Sequence, residues 1–267
     1  MAALLLPTIL IVVQLAQYQG LTKDFVYEVP EVTRIAAFET TWLYALIHVF
    51  SFLPVFLFSF EPRIAYYKSW KYLFPAILLV GAFFVLWDVI FTWLSIWSFN
   101  PTYYLGIKLI SLPIEEWIFF IVIPFSSIFI YENINYYLKK DLLARAEPFI
   151  SVFLLGFCFA VGILYWERLN TSVTFFLTGG FLLYHFLFLP AWHRSRFYFS
   201  FIAILIPFII VDTILTGGFT DAPIVIYNPE EYTGFRIFSI PIEDIPFGFM
   251  MLLWIVTLME TWRKKAQ

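Results

Sequence analysis

Cysteine, histidine and charge are all scarce in this 267-residue chain, and each scarcity removes a class of function. The one cysteine, Cys158, sits in an apolar run, so there is neither a disulfide framework nor a cysteine metal site. Three histidines leave little for metal ligation. Charged residues make up 13% of the chain, against about 25% in a soluble domain. The net charge of −3 is small and the basic residues are scattered over loops, which argues against nucleic acid as a partner. No G-x-G-x-x-G occurs, so neither flavin nor nicotinamide is expected as a cofactor. What is present is apolar: hydrophobic residues are 62% of the chain and the mean hydropathy is +0.85, the composition of an integral membrane protein. Phe alone occurs 34 times, more than an interfacial belt of Trp and Tyr requires.

A membrane-spanning helix needs about 20 mainly apolar residues. Seven such runs are predicted, at 41–60, 72–97, 112–137, 148–165, 171–190, 197–216 and 241–261. They should be helices, because lipid offers no partner to an unpaired backbone group and the short loops cannot close a barrel. Arg63, Lys68, Lys71, Lys139, Lys140, Arg145, Arg194, Arg196, Arg263, Lys264 and Lys265 fall on one side of these spans. Lys23, Arg34, Lys108, Arg168 and Arg236 fall on the other. The richer side is therefore expected to be cytoplasmic, the C-terminus with it, in a multi-pass protein of the cell (cytoplasmic) membrane. Ala2 to Ala16 is apolar but short for a span and lacks the basic start of a signal peptide. An eighth helix, an interfacial segment and a misassigned start all remain open for residues 1–40.

A shift of 128 residues lays one part of the chain on another. It pairs Asn100 with Asn228, Pro101 with Pro229, Tyr104 with Tyr232, Gly106 with Gly234, Pro113 with Pro241, Glu115 with Glu243 and Glu116 with Asp244. Upstream the shift falls to 124, where Asp88-x-x-x-Thr92 meets Asp212-x-x-x-Thr216. The chain therefore reads as a duplication. An N-terminal extension at 1–40 precedes a first repeat at 41–140, a linker helix at 141–170 and a second repeat at 171–267. Two three-span units fused directly would point in opposite directions, and the linker helix restores parity. The expected architecture is all-α, seven transmembrane helices with a pseudo-two-fold axis along the membrane normal. Both Pro-Ile-Glu segments then open on the outer side.

The acids carry the chemistry. Proline and acids in a first helical turn have an ordinary explanation in the helix dipole. Against it stand the double use of the device and two further acids, Asp88 and Asp212, inside apolar spans, where an ionised carboxylate costs at least ~2.5 kcal/mol. Six carboxyls, Glu115, Glu116, Glu243, Asp244, Asp88 and Asp212, are expected to converge on one region. Crowded in a low dielectric they cannot all ionise, so some should retain a proton, as a general acid must. Neighbours Glu115 and Glu116 are about 100° apart on a helix, so only one of each pair is expected to face the site directly. Thr92 and Thr216, one turn from their aspartates, are expected to hydrogen-bond them. Asn100 and Asn228 are supporting candidates, although Asn-Pro often only starts a turn. His48 and His185 do not coincide under the shift and read as packing residues. Glu132 and Glu260 do coincide but read as solvated helix ends.

WDVIFTWLSIWSFNP (87–101), SLPIEEW (111–117) and SIPIED (239–244) resemble the membrane-integral, flavin-free lycopene cyclases, in which two small homologous subunits occur as separate chains or fused. The resemblance covers about residues 41–262. Ser95 departs from it, standing where glycine is expected. It implies lycopene or a related carotenoid as substrate, lipid as surroundings, and admits other carotenoid-pathway enzymes as partners. It also implies β-cyclisation without net redox change: an acid protonates the terminal double bond, the cation closes a ring, and a base removes a proton. Glu115 and Glu243 are expected to face the end group, with Glu116, Asp244, Asp88 and Asp212 tuning or relaying protons. ε-Ring formation, C50 cyclisation and hydration share the first protonation and stay open. A prenyltransferase is disfavoured because Thr92 and Thr216 stand where a second metal-binding aspartate would be needed. A cation or proton transporter is the alternative of another class, but the intramembrane acids keep to one side. A carotenoid-binding protein without catalysis would have little use for buried acids.

Overall fold

In the computed structural model, residues 11, 13, 14 and 33–266 are described. Seven α-helices dominate them: α1 (Leu43–Phe58), α2 (Trp70–Trp93), α3 (Ile114–Tyr137), α4 (Glu147–Leu164), α5 (Leu169–Phe188), α6 (Ala191–Leu215) and α7 (Asp244–Lys265). Six of the seven are long and apolar enough to cross a membrane; α1, with 16 residues, is shorter. The chain is thus an integral membrane protein. Pro54, Pro75, Pro124 and Pro207 all lie inside helices. Neighbouring side chains can re-satisfy the carbonyls that such prolines free. Beside Pro54, Ser126 of α3 donates to the Ser51 carbonyl of α1 at 2.8 Å.

Helices alone were expected, yet three two-stranded sheets also form: β1 (Trp97–Phe99) with β4 (Val225–Tyr227), β2 (Lys108–Leu109) with β3 (Leu112–Pro113), and β5 (Arg236–Ile237) with β6 (Ile240–Pro241). The β2–β3 and β5–β6 hairpins coincide residue for residue under the 128 shift, Lys108↔Pro113 matching Arg236↔Pro241. Gly106 and Gly234, at φ +82° and +83°, turn the chain into them. Each hairpin is tied to the helix it feeds: Ile114 N–H donates to the Ile107 carbonyl at 2.9 Å, and Ile242 N–H to that of Phe235 at 3.1 Å. The β1–β4 pair is its own image under the shift, with Ser98 opposite Ile226 at its centre. Asn100 N–H donates to the Ile224 carbonyl and Asn228 N–H to the Ile96 carbonyl, at 2.8 and 2.9 Å.

Two of the differences between predicted spans and helices change a residue's setting. The second run stops at Trp93 rather than 97 because Ser95 takes φ +60°, a left-handed conformation no helix continues through. The sixth helix begins at Ala191 rather than 197, so Arg194 is not a loop residue. It is buried and ion-paired to Glu147 of α4 at 2.5 Å. Serine and tyrosine complete this contact: Ser151 donates to Glu147 at 2.6 Å and lies 2.7 Å from Tyr198 Oη. α4 otherwise buries only a narrow stripe, Ser151, Cys158 and Gly162 following Glu147. A Cβ on Gly162 would come within 2.8 Å of the Phe176 ring, so this glycine sets how closely α4 approaches α5. Of Ala2 to Ala16 only residues 11, 13 and 14 are described; Gln14 donates to Ser172 Oγ and the Trp166 carbonyl. The status of the extension otherwise lies outside the described residues.

Candidate active site

Strand β3 ends at Pro113, whose extended ψ of 146° makes it the N-cap of α3 and puts Glu115 and Glu116 in the first turn. In the second repeat Glu243 is the N-cap of α7 and Asp244 its first residue. All four acids are buried or nearly so: Glu115 and Glu243 are 1% exposed and Glu116 is 7% exposed.

The neighbours then diverge. Glu115 Oε1 accepts the Leu105 N–H and Glu243 Oε1 the Thr233 N–H, each at 2.7 Å, in positions that coincide under the shift. Thr171 adds a bond to Glu243 at 2.6 Å. These first acids hold the loops onto the helix ends. The second acids turn inward. The Glu116 carboxyl meets that of Asp88 from α2, and the Asp244 carboxyl meets that of Asp212 from α6. Tyr44 Oη donates to Glu116 at 2.5 Å. Tyr227 Oη donates to both oxygens of Asp244 at 3.0 Å. Burial, followed by the nearby Asp244 and Asp212 carboxyls, pushes the Tyr227 phenol well above its ordinary value, so it remains a donor. Trp97 Nε1 donates to Asp88 at 2.5 Å.

Asp88, Glu116, Asp212, Glu243 and Asp244 line one cavity of about 80 Å³. Its walls include Phe119, Phe120, Phe208 and Phe247, and among the described residues no Lys or Arg lines it. Glu115, expected to face an end group, does not line it, because its carboxylate is turned to the Leu105 amide. The cavity adjoins a larger apolar cleft of about 580 Å³ between α1, α3 and α6, the two sharing Phe119, Ile123, Ser127, Phe208, Asp212 and Leu215.

The remaining candidates separate by geometry. Thr92 donates to Asp88 at 3.4 Å. Thr216 does not reach the Asp212 carboxyl; its hydroxyl goes to the Asp212 carbonyl at 2.7 Å, satisfying the end of α6. The side chains of Asn100 and Asn228 accept the N–H two residues on, at 3.0 and 3.1 Å, and so start turns outside the cavity. His48 lies 2.9 Å from the Glu115 carbonyl and His185 lies 3.0 Å from Thr257 Oγ1, both structural contacts. Glu132 and Glu260 are not solvated ends: Arg263 binds both, at 2.7 and 3.2 Å. Tyr44, Tyr227 and Trp97 were missed. Their positions under the shift hold Ser172, Phe99 and Val225, so the repeat gave no signal for them.

The family model for lycopene cyclase matches residues 41–134 and 167–262, over half of the chain and one segment in each repeat. No curated protein and no solved structure matches the chain. Both matched segments contain a Pro-Ile-Glu motif and the aspartate it meets, and the chain belongs to the lycopene cyclase family.

Proposed function

We propose that the protein is a lycopene β-cyclase that closes β-ionone rings on the ends of lycopene by proton transfer within the Asp88–Glu116 and Asp212–Asp244 pairs. One observation carries this reading. Two carboxyl pairs, one from each repeat, meet side chain to side chain in an aromatic-walled cavity without a basic residue. A carboxyl that hydrogen-bonds another carboxyl does so through a retained proton, and that proton is the acid the reaction needs. Added to C2 of the terminal double bond, it leaves a cation at C1. The C5=C6 electrons attack C1 and form the ring bond, and a carboxylate takes the proton from C6. Atoms and charge balance without an external oxidant or reductant. The π faces of Phe119, Phe120 and Phe247 stabilise the cation without supplying a nucleophile to quench it.

Glu116 and Asp244 are the proposed proton donor and acceptor, with Asp88 and Asp212 sharing their protons and Glu243 bordering the cavity. Glu115 fixes the loop, Thr92 supports Asp88, and Thr216, Asn100 and Asn228 hold the backbone around the site. In the membrane, the seven helices form two three-span repeats joined by α4, related by a pseudo-two-fold axis along the normal. The hairpins lie on the outer side and the C-terminus is cytoplasmic. Domain limits at 41–140 and 171–267 follow from that arrangement.

The test is expression in a lycopene-accumulating bacterial host with chromatography of the extracted pigments. The native chain should yield γ- and β-carotene. Glu116→Gln and Asp244→Asn should each lower conversion by about 10²-fold or more, as loss of a general acid or base does. Glu115→Gln should act mainly through lower accumulation of folded protein. Lycopene left unchanged by a well-inserted native chain refutes the reading, and ε-rings, C50 rings or hydroxylated ends redirect it within the family.

A further inference from the structure

The repeat predicts a second cleft equivalent to the one between α1, α3 and α6, between α5, α7 and α2. It is filled by rings. Trp254 of α7 packs between Phe83 of α2 and Phe181 of α5, with ring centroids 5.2 and 5.4 Å away. Trp87 of α2 packs on Phe247 at 5.1 Å. On the open side the corresponding residues are small. The 128 shift takes Trp254 to Ser126, and the 124 shift takes Phe83 to Pro207 and Trp87 to Val211. Ser126, Pro207 and Val211 all line the open cleft.

Resting on the cyclase reading, we propose that the α1–α3–α6 cleft is a one-sided lateral port. One end of the linear hydrocarbon passes through it to the carboxyls, while the rest of the polyene lies along the cleft and out into lipid. Three observations fix the occupant as an extended apolar chain. The cleft shares six lining residues with the carboxyl cavity, Asp212 among them; its lining is almost wholly apolar; and its size, about 580 Å³, falls within the roughly 300–1,000 Å³ of ligand sites. Because the opposite side is closed by Trp254, Phe83 and Trp87, only one end of a symmetric substrate reaches the acids at a time. The second end is reached only after the molecule withdraws and reverses, so the one-ringed product is a released intermediate.

The test uses the full chain in the lycopene-accumulating host, with Ser126→Trp to put the closing ring on the open side. Leu154→Trp, whose side chain lies on a separate apolar cleft against α4, is the control for bulk. Two readings are taken: cyclised pigment, and carotenoid retained by the protein purified in detergent. Ser126→Trp should lower both by about tenfold or more, with Leu154→Trp within about twofold of native. If Ser126→Trp fails to accumulate, Val211→Trp replaces it. Native levels of product and bound carotenoid in these variants overturn the port, as does a phospholipid acyl chain recovered from native protein in place of carotenoid. A native chain that retains lycopene without cyclising it sinks the cyclase reading, yet the retained pigment in native and Ser126→Trp protein still decides the port.

Discussion

At the scale of single residues, the partners of the acids decide what each acid does. Tyr44 donates to Glu116 at 2.5 Å and no ordinary solvent competes with it there. Tyr44→Phe should lower conversion about 10- to 150-fold, since a hydrogen bond to a charged group is worth about 1.5–3 kcal/mol, and pigment chromatography would read it. Ser95 sits at φ +60°, a conformation that costs an L-residue roughly 1–2 kcal/mol. Ser95→Gly should therefore raise the midpoint of thermal unfolding in detergent. Its bond to Asn228 uses the backbone carbonyl and survives the change. Glu231 has a pH signature. It accepts the Leu169 N–H at the start of α5, and its carboxyl is pushed up from 4.5 to about 7, chiefly by burial, with that N–H opposing and Glu230 adding. A raised carboxyl binds its proton more tightly folded than unfolded. The associated stability is full below about pH 4.5 and is lost as the pH rises through about 7. Glu231→Gln should flatten the fall in unfolding temperature over that interval. The five carboxyls that line the cavity were legible because carboxyls in apolar runs are costly and these recur. That Glu115 turns from the cavity while Glu243 borders it beside Asp244 was not, because it depends on how the loops ending at Leu105 and Thr233 arrive.

At the scale of elements, helices and strands differ in how far local pattern reveals them. Seven long apolar runs become seven helices within a few residues, since lipid permits little else. Strands of two or three residues have no period to detect, and β1–β4 joins residues more than 120 apart. The early start of α6 was hidden because Arg194 reads as a loop residue until Glu147 is seen opposite it. That pair is also the most exacting contact of α4, whose other buried positions are small. Removing one partner leaves a buried charge unmatched, which costs about 3–5 kcal/mol. Arg194→Met should thus destabilise strongly and Arg194→Met with Glu147→Leu should recover much of the loss, in detergent unfolding of the two variants side by side.

At the scale of the whole molecule, the carboxyl cavity is divided between the repeats. Asp88 and Glu116 come from one, Asp212 and Asp244 from the other, and the cavity exists only where they meet. Lys139 and Lys140 lie in an exposed connection between α3 and α4. Segments 1–140 and 141–267 made as two chains should therefore cyclise lycopene together and fail singly, provided that β1–β4 and the α2–α7 contact form between them. Pigment from co-expressing and single-expressing cells would show it. The duplication was readable from spacing alone. The asymmetry was not, because Ser126 and Trp254 acquire meaning only once the helices around them are in place.

An antiparallel strand pair that is its own image requires only one sequence to form it. Ser98 opposite Ile226 is the contact an isologous dimer makes on its axis, where a patch meets a copy of itself. A single unduplicated half could have closed on its twin through this ribbon, with one gene supplying both acids of the site and two equal doors. In the fused chain Ser126 and Trp254 are separate positions, so the two sides of one pocket can carry different residues.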